Sequence, residues 1–430
     1  MSTDRRKFLR TLAGTIGLAG ATPFFASARG KGFINAIEHY QHLSAHQLAG
    51  DETFWRQVKM AYSVSPTIIN LNNGGVSPQP LVVQEAVERY NRMSNELPTY
   101  YMWRILDRGR EPLRINLAGL AGCSPEEIAI NRNASEALET VIFGLRLEAG
   151  DEVVLTRQDY PNMIQAWKQR AHRDGIVLKW LSFDFPVEDD GQITEAFVSA
   201  FTPRTKVVHI THIINWNGQV LPARKIAREA HNRGIEVLVD GAHSFCQLEF
   251  DVPALECDYF GTSLHKWLSA PFGSGMLYVK QEKIASLYPL FGAPEPESSD
   301  IRKFESLGTR SFAIEQAISQ AIGFHQMIGG QRKQERLLYL KHYWVEQAKE
   351  IPGFQLHSPA GPGCGIALFS LEGVENNRLS DWLFRNHQIH TVSINWENIS
   401  GIRITPNVYT LTQDLDRFVK ALRIYAETER

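Results

Sequence analysis

Asp240 closes the apolar run Val237-Leu238-Val239, and Lys266 sits downstream in Ser263-Leu264-His265-Lys266-Trp267. A lysine amine that sheds its proton is a nucleophile toward a carbonyl and forms an imine with it. A carboxylate facing the same ligand can keep a heteroaromatic nitrogen protonated. Both residues are placed at strand ends. In an open α/β sheet the ligand lies beyond the carboxyl ends of the strands, so two residues leaving different strands can face one ring. Taken singly, the aspartate reads more often as a helix cap or metal ligand and the lysine as a solvated side chain; the pairing is what points to chemistry. His209, His212, His231, His243 and His265 crowd the same stretch and raise a metal centre as a rival. On a strand, however, His209 and His212 are three residues apart and point to opposite faces, so they do not share one ion.

The elements that must carry this pair alternate in type. From Asn70 to about Tyr278, apolar β-branched runs alternate with amphipathic segments, the pattern of βαβ units around a mostly parallel sheet. Predicted strands include Glu152 to Thr156, Val177 to Ser182, Lys206 to His212, Glu236 to Asp240 and Gly275 to Val279. Most are near-continuous apolar runs, as strands covered on both faces require. A helix opens at Leu221-Pro222-Ala223 and stops at Asn232-Arg233-Gly234, with proline in its first turn and glycine at its end. Phe291 to Pro296 reads as a linker and Ala313 to Ile328 as a long helix. A smaller α/β unit follows, with helices over Gln331 to Glu350, Asn377 to Asn386 and Thr412 to Thr428. Its strands are Gly365 to Leu371, Gln388 to Ser393 and Gly401 to Ile404. The expected division is a large domain over residues 70–290 and a small domain built from 31–69 and 291–430.

The order Asp240-Gly241-Ala242-His243, then Ser263, His265 and Lys266, resembles the class V aminotransferase superfamily, and most of all its isopenicillin-N-epimerase-like branch. Further matches run through Leu71-Asn72-Asn73-Gly74-Gly75, Asn131 to Ala137, Val208 to Gly218, Gly308-Thr309 and Ile402-Arg403-Ile404-Thr405-Pro406. The resemblance spans about Asn70 to Arg423. It implies the fold-type-I architecture, with a seven-stranded, mostly parallel central sheet and a smaller C-terminal α/β domain, pyridoxal 5'-phosphate (PLP) as cofactor, and a homodimer. Carried over by position, Lys266 is the Schiff-base lysine and proton carrier, and Asp240 is the partner of the pyridine nitrogen. Tyr160 is the ring stacked on the cofactor, with a plain core tyrosine as its rival. Asn215 and His243 match positions that hydrogen-bond the phenolic oxygen. His243 departs from the glutamine common in related desulfurases, and a proton role for it stays open. Ala134 and Ser135 open a helix whose N–H groups can hold the phosphate, helped by Ser263 and His265, while Thr309 matches a residue that reaches the partner subunit's cofactor. Asn73 and Arg403 fall on the substrate side, with Arg403 forking onto an α-carboxylate, a bidentate role that lysine fills poorly.

With 430 residues, 43% hydrophobic and 21% charged, the chain can bury a sizeable core in two domains. A net charge of -2 provides no field that would draw in nucleic acid or an anionic membrane, which leaves small-molecule chemistry as the expectation, and the family resemblance implies an amino-acid or peptidyl substrate. Residues 1–28 read differently. Arg5-Arg6-Lys7-Phe8-Leu9-Arg10, a Gly/Ala-rich run to Phe25, and Ala26-Ser27-Ala28 together resemble a twin-arginine signal peptide. That implies cleavage after Ala28, passage of the folded protein through the twin-arginine translocation machinery and a periplasmic location. The run is too short and glycine-rich for a stable membrane anchor. Four cysteines are too few for a disulfide framework. A desulfurase needs a nucleophilic cysteine on the loop before the C-terminal arginine, and none occurs between Leu371 and Arg403. A non-catalytic binding protein would not need Asp240 and Lys266 together. The expectation is chemistry at the amino group or Cα, of aminotransferase or epimerase type, with an exported tailoring enzyme of a siderophore such as pyoverdine as the alternative.

Overall fold

The computed structural model describes residues 23–361 and 363–428. Seven strands form the central sheet: β1 (Ile128–Asn131), β2 (Glu152–Thr156), β3 (Val177–Leu181), β4 (Thr205–Thr211), β5 (Glu236–Asp240), β6 (Tyr259–Ser263) and β7 (Gly275–Val279). Their order is β1-β7-β6-β5-β4-β2-β3; β7 runs antiparallel to both of its neighbours, and the remaining pairs are parallel. This is the seven-stranded, mostly parallel sheet the sequence leads one to expect. Helices cover both faces, so the central residues Val237, Leu238 and Val239 of β5 are all fully buried and read as one apolar run. β3, at the edge, is only partly covered, and Val177 stays 40% exposed.

The helices that matter to the site are α1 (Ala28–His39), α2 (Leu81–Glu96), α3 (Ala134–Gly144), α4 (Pro161–Asp174), α5 (Ala223–His231), α6 (Phe312–Ile328), α7 (Gly330–Ala348), α8 (Asn376–His387) and α9 (Thr412–Thr428). β1 was not foreseen, and β6, the strand expected before Lys266, had no predicted bounds. β1 has four residues, too few to show a period, and β6 contains Gly261 and ends in Thr262-Ser263. Gly261 is there for packing: a Cβ would lie 2.7 Å from the Leu138 side chain, so α3 sits directly on β6.

The smaller unit is a four-stranded antiparallel sheet of β8 (Phe354–Leu356), β9 (Ala367–Leu371), β10 (Val392–Trp396) and β11 (Ile399–Ile404), in the order β10-β11-β9-β8. With α7, α8 and α9 it closes on a core that includes Trp344, Phe369 and Phe418. The single strand expected over Gln388 to Ser393 is broken. Ile389–His390 pairs in parallel with Ile69–Asn70, and β10 starts afresh at Val392.

The N-terminal segment 31–69 packs on α6 and α7, both within the 291–430 stretch with which it was expected to group; Arg336 of α7 pairs with Glu52 at 2.6 Å and donates to the Ala49 carbonyl at 2.9 Å. Phe33 of α1 stacks on Phe324 of α6 at 5.0 Å, and Phe33, Phe54 and Trp55 join the core on one face of the central sheet. Only the end of the segment, at Ile69, enters the small-domain core. An amphipathic stripe says that a helix needs a partner and leaves open which partner that is. The double arginine and the run as far as Thr22 lie outside the described residues. Ser27 caps α1 by accepting from the Gly30 N–H at 3.1 Å, while Phe24 is buried and its N–H donates to the Glu85 carboxylate at 2.9 Å.

Candidate active site

The carboxyl edge of the central sheet opens on a cavity of about 480 Å³ lined from both domains. The connections leaving β1, β2, β4, β5 and β6 each deliver side chains to it, and β10 and β11 close it from the small domain. That is the place where an open α/β sheet holds a ligand.

Asp240, the last residue of β5, is 4% exposed and accepts from the Ala242 N–H at 2.9 Å. Burial pushes its pKa up, opposed by that N–H and by His209 and Lys266 nearby. Lys266 enters from the turn after β6. Its Nζ lies 3.0 Å from His243 Nε2 and 5.9 Å from the centre of the Tyr160 ring. The indole N–H of Trp267 can only donate, and it does so to His243 Nδ1 at 3.4 Å. A neutral imidazole then carries its hydrogen on Nε2, aimed at the lysine, and that contact is favourable only if the amine is neutral and accepts. The electrostatics agree. Desolvation, with Arg403 adding and Asp240 opposing, lowers the Lys266 pKa to about 8. His243 is held well below its usual range by burial, then by Lys266 and Arg403. A near-neutral amine in a closed pocket is a nucleophile at physiological pH.

At the other end of the cavity α3 begins. Asn133 caps it by accepting from the Glu136 N–H at 2.8 Å, which leaves the first-turn N–H groups of Ala134 and Ser135 facing the cavity side. The Ala134 N–H donates to Ser263 Oγ at 2.8 Å, so β6 and α3 are fastened where an anion would sit. A Cβ on Gly275 would lie 2.5 Å from the Asn133 nitrogen, so β7 needs glycine to let the helix start approach. His265 donates from Nδ1 to the Ser274 carbonyl at 3.2 Å and lines the same end.

Arg403, on β11, is 6% exposed and lines the cavity. It donates to the Asn215 carbonyl and to Asn72 Oδ1, both at 2.9 Å, and its Nε has no partner among the described residues. No carboxylate pairs with it among the described residues. Burial lowers its pKa to about 10. Asn215 is 4% exposed, and its Oδ1 also lacks a partner. Tyr160 caps α4 and lines the cavity with its ring 39% exposed.

One of the expected site residues stands elsewhere. Asn73 is fully buried behind the cavity. Its amide donates to the carbonyls of Asn70 and Thr405, at 3.1 and 2.8 Å, and accepts from Tyr409 Oη and Asn70 Nδ2. With its hydrogen-bonding capacity spent, it braces the loop; its neighbour Asn72 is the one that holds Arg403. Thr309 is exposed in the connection before α6 and does not line this cavity. His209 and His212 part as a strand demands, with His209 accepting from the Trp167 indole at 3.2 Å and His212 packing on Phe250.

Other residues were missed. Trp216 of the large domain stacks on Trp396 of β10, with ring centres 5.5 Å apart and planes 25° from parallel. Their indole N–H groups donate to the carbonyls of Gln158 and Arg157, and Gln158 Nε2 donates to Asn398 Oδ1 at 2.8 Å. This seam joins the two domains at the cavity mouth. The two tryptophans and the loop asparagine were visible, but nothing in the sequence says that they meet. Asp159, wholly buried beside Tyr160, was also passed over.

The side chains suit PLP: an acid for a ring nitrogen, an amine for an aldehyde, a helix start for a phosphate, and an unpartnered Asn215 oxygen and Arg403 Nε still to be satisfied. Comparison with known proteins agrees. Residues 69–394 match the family model "Aminotransferase class-V". The chain is 29% identical over 387 residues to isopenicillin N epimerase of Streptomyces clavuligerus, covering 86% of this chain and 97% of that protein. It is 30% identical over 394 residues to the isopenicillin N epimerase of Amycolatopsis lactamdurans, covering 86% and 98%. The fold superposes on the Escherichia coli cysteine desulfurase CsdA with a TM-score of 0.77 at 20% identity, over 87% of this chain and 98% of that one. The chain belongs to the class V aminotransferase family, with pyridoxal 5'-phosphate as its cofactor.

Proposed function

We propose that this PLP-dependent enzyme acts at the amino group or Cα of an amino acid or peptidyl amine bearing a free carboxylate, as an aminotransferase or epimerase. The observation that carries this reading is the buried guanidinium of Arg403, unpaired with any acid, opening on the same cavity as the near-neutral amine of Lys266. A substrate carboxylate is the natural partner for that cation, and forking onto it would place the substrate amine and Cα toward Lys266.

Bound PLP supplies an electron-withdrawing ring that stabilises charge developing at the substrate Cα. Asp240 would hold the ring nitrogen protonated, and Tyr160 would cover one ring face. Asn215 and His243 would bond the ring oxygen, while the start of α3, Ser263 and His265 would hold the phosphate. Lys266 would hold the cofactor's aldehyde carbon and move the proton at the substrate Cα. Lys266 serves one face of that carbon, and a group on the opposite face would be needed to invert the centre.

The desulfurase reading lacks its nucleophile. None of the four cysteines lines the cavity. Cys364 is 2% exposed, donates to the Gly218 carbonyl at 3.2 Å, and has its pKa raised by burial. The β10–β11 turn, where a loop cysteine would stand, is Trp396-Glu397-Asn398.

We further propose export of the folded protein by the twin-arginine route to the periplasm, which favours a peptide or secreted metabolite, a siderophore included, as substrate. Assembly as a homodimer, with Thr309 serving the partner's site, is supported by exposed Leu97, Tyr100 and Trp103, the last packed beside Arg310 and Phe312. The test is an absorbance spectrum of the purified protein and of Lys266→Ala, before and after addition of amino-acid pools. A band near ~420 nm that is absent from the variant and shifts with one donor establishes the chemistry and names the donor. Failure of the wild type to take up PLP would overturn the reading.

A further inference from the structure

Asp159 is a carboxylate at the same sheet edge that the reaction above does not use. It directly precedes Tyr160 and is fully buried. Its oxygens accept three hydrogen bonds, from the Thr156 N–H at 2.9 Å and from the hydroxyls of Thr156 and Thr211 at 2.8 Å each. No lysine, arginine or histidine pairs with it among the described residues. Thr156 ends β2 and Thr211 ends β4, adjacent strands of the sheet, so the donors are fixed by the fold before any ligand arrives. Burial pushes the Asp159 pKa up to about 6 against the pull of the three donors, so at neutral pH the carboxyl is an anion, the state those donors satisfy.

The anion has a specific neighbour. Thr211 stands in register with Asp240 on β5, and the Asp159 charge acts on Asp240 in the direction that favours its proton-bound form. Asp240 has one backbone N–H for support, with His209 and Lys266 as the other titratable groups that act on it. Of the two acids, Asp240 lines the cavity and Asp159 does not. Two carboxylates sharing a poorly solvated site hold a proton or a cation far more firmly than either alone. Here the cavity meets the pair on the side of Asp240.

We propose that Asp159 is a positioning residue for the ring-nitrogen proton: its negative charge, set across Thr211 from Asp240, strengthens the hold of Asp240 on the N–H of the bound cofactor. This rests on the PLP reading. The rival is a purely structural role, in which Asp159 braces the turn that carries Tyr160.

Asp159→Asn separates the two, since asparagine keeps the shape, both threonine hydroxyls can rotate to suit its amide, and only the charge is lost. In holoenzyme reconstituted with PLP labelled with ¹⁵N in the ring, the proposal expects the variant to lose its ring proton at a pH about one unit lower than wild type, a tenfold weaker hold. Thr211→Val, which removes one donor, shifts it in the same direction by less, and Thr211→Ser restores wild-type behaviour. Should Asp159→Asn fail to fold, the two Thr211 variants carry the comparison. Identical midpoints in wild type and variant would overturn the proposal in favour of the brace. If the wild type takes up no PLP, the reading of the reaction fails instead. The carboxyl ¹³C titration of Asp240 in full-length cofactor-free protein, assigned by Asp240→Asn, then decides the coupling by itself: a midpoint about one unit lower in Asp159→Asn supports it, and an unmoved one overturns it.

Discussion

The reactivity of Lys266 is set first by burial, which Asp240 opposes and Arg403 reinforces. Trp267 fixes the tautomer of His243, His243 presents an N–H to the amine, and Arg403 adds a repulsive charge. With the folded-state pKa lowered to about 8, the neutral fraction rises about tenfold per pH unit below that value and levels off above it. The expected outcome is a rate of PLP uptake by cofactor-free protein that climbs with pH and reaches a plateau just above 8. A rate still climbing at pH 10 would mean an unperturbed lysine. At the substrate end, Arg403→Lys keeps the charge but loses the fork, so KM for the amino-acid donor is expected to rise by about tenfold or more with a smaller change in kcat, checked by steady-state kinetics. Asp240 and Lys266 were legible because their types, order and neighbours agree. Asn73 was misplaced because it stands beside another asparagine, and which of the two amides faces the cavity depends on backbone direction. Asp159 carried no signal, since a buried acid and a surface acid are spelled alike.

Among the elements, α3, α5, α6, α7, α8 and α9 declared themselves by their period or caps and β2, β4, β5 and β7 by their apolar runs, while α1, α2 and α4 went unpredicted. β1 was too short and β6 too polar at its end, yet these two strands present the phosphate end of the site. The contact between β7 and the start of α3 is the tightest point of that arrangement. Gly275→Ala forces a Cβ against the Asn133 backbone, and is expected to cost about 1–3 kcal/mol of stability and to speed loss of PLP by displacing the helix start. Gly292→Ala, where nothing lies within 4 Å of the new Cβ, is the control expected to leave both unchanged. Chemical denaturation and cofactor-release measurements on the two variants check the comparison.

At the scale of the whole molecule, the sequence pointed to two α/β units, and the N-terminal helices, expected to group with residues 291–430, pack on α6 and α7 there. Their partner, α6, lies some three hundred positions downstream, and no local pattern links them. The same segment bears on processing. Cleavage after Ala28 would remove the buried Phe24 ring and the Ser27 cap of α1, for an expected loss of about 3 kcal/mol. Parallel denaturation curves of precursor and mature protein, with the mature N-terminus read by sequencing, check both the site and the cost. Coincident curves would show that Phe24 contributes nothing to the fold.

The Trp216–Trp396 pair spans the seam between the domains, one indole contributed from each side and both N–H groups held by the large-domain loop at Arg157 and Gln158. Two such chromophores, nearly stacked, couple their transitions, and the sign and size of the resulting circular dichroism couplet depend steeply on their mutual angle. The enzyme thus carries a built-in optical goniometer. A few degrees of rotation of one domain against the other, as substrate enters or product leaves, would be recorded in real time without a label.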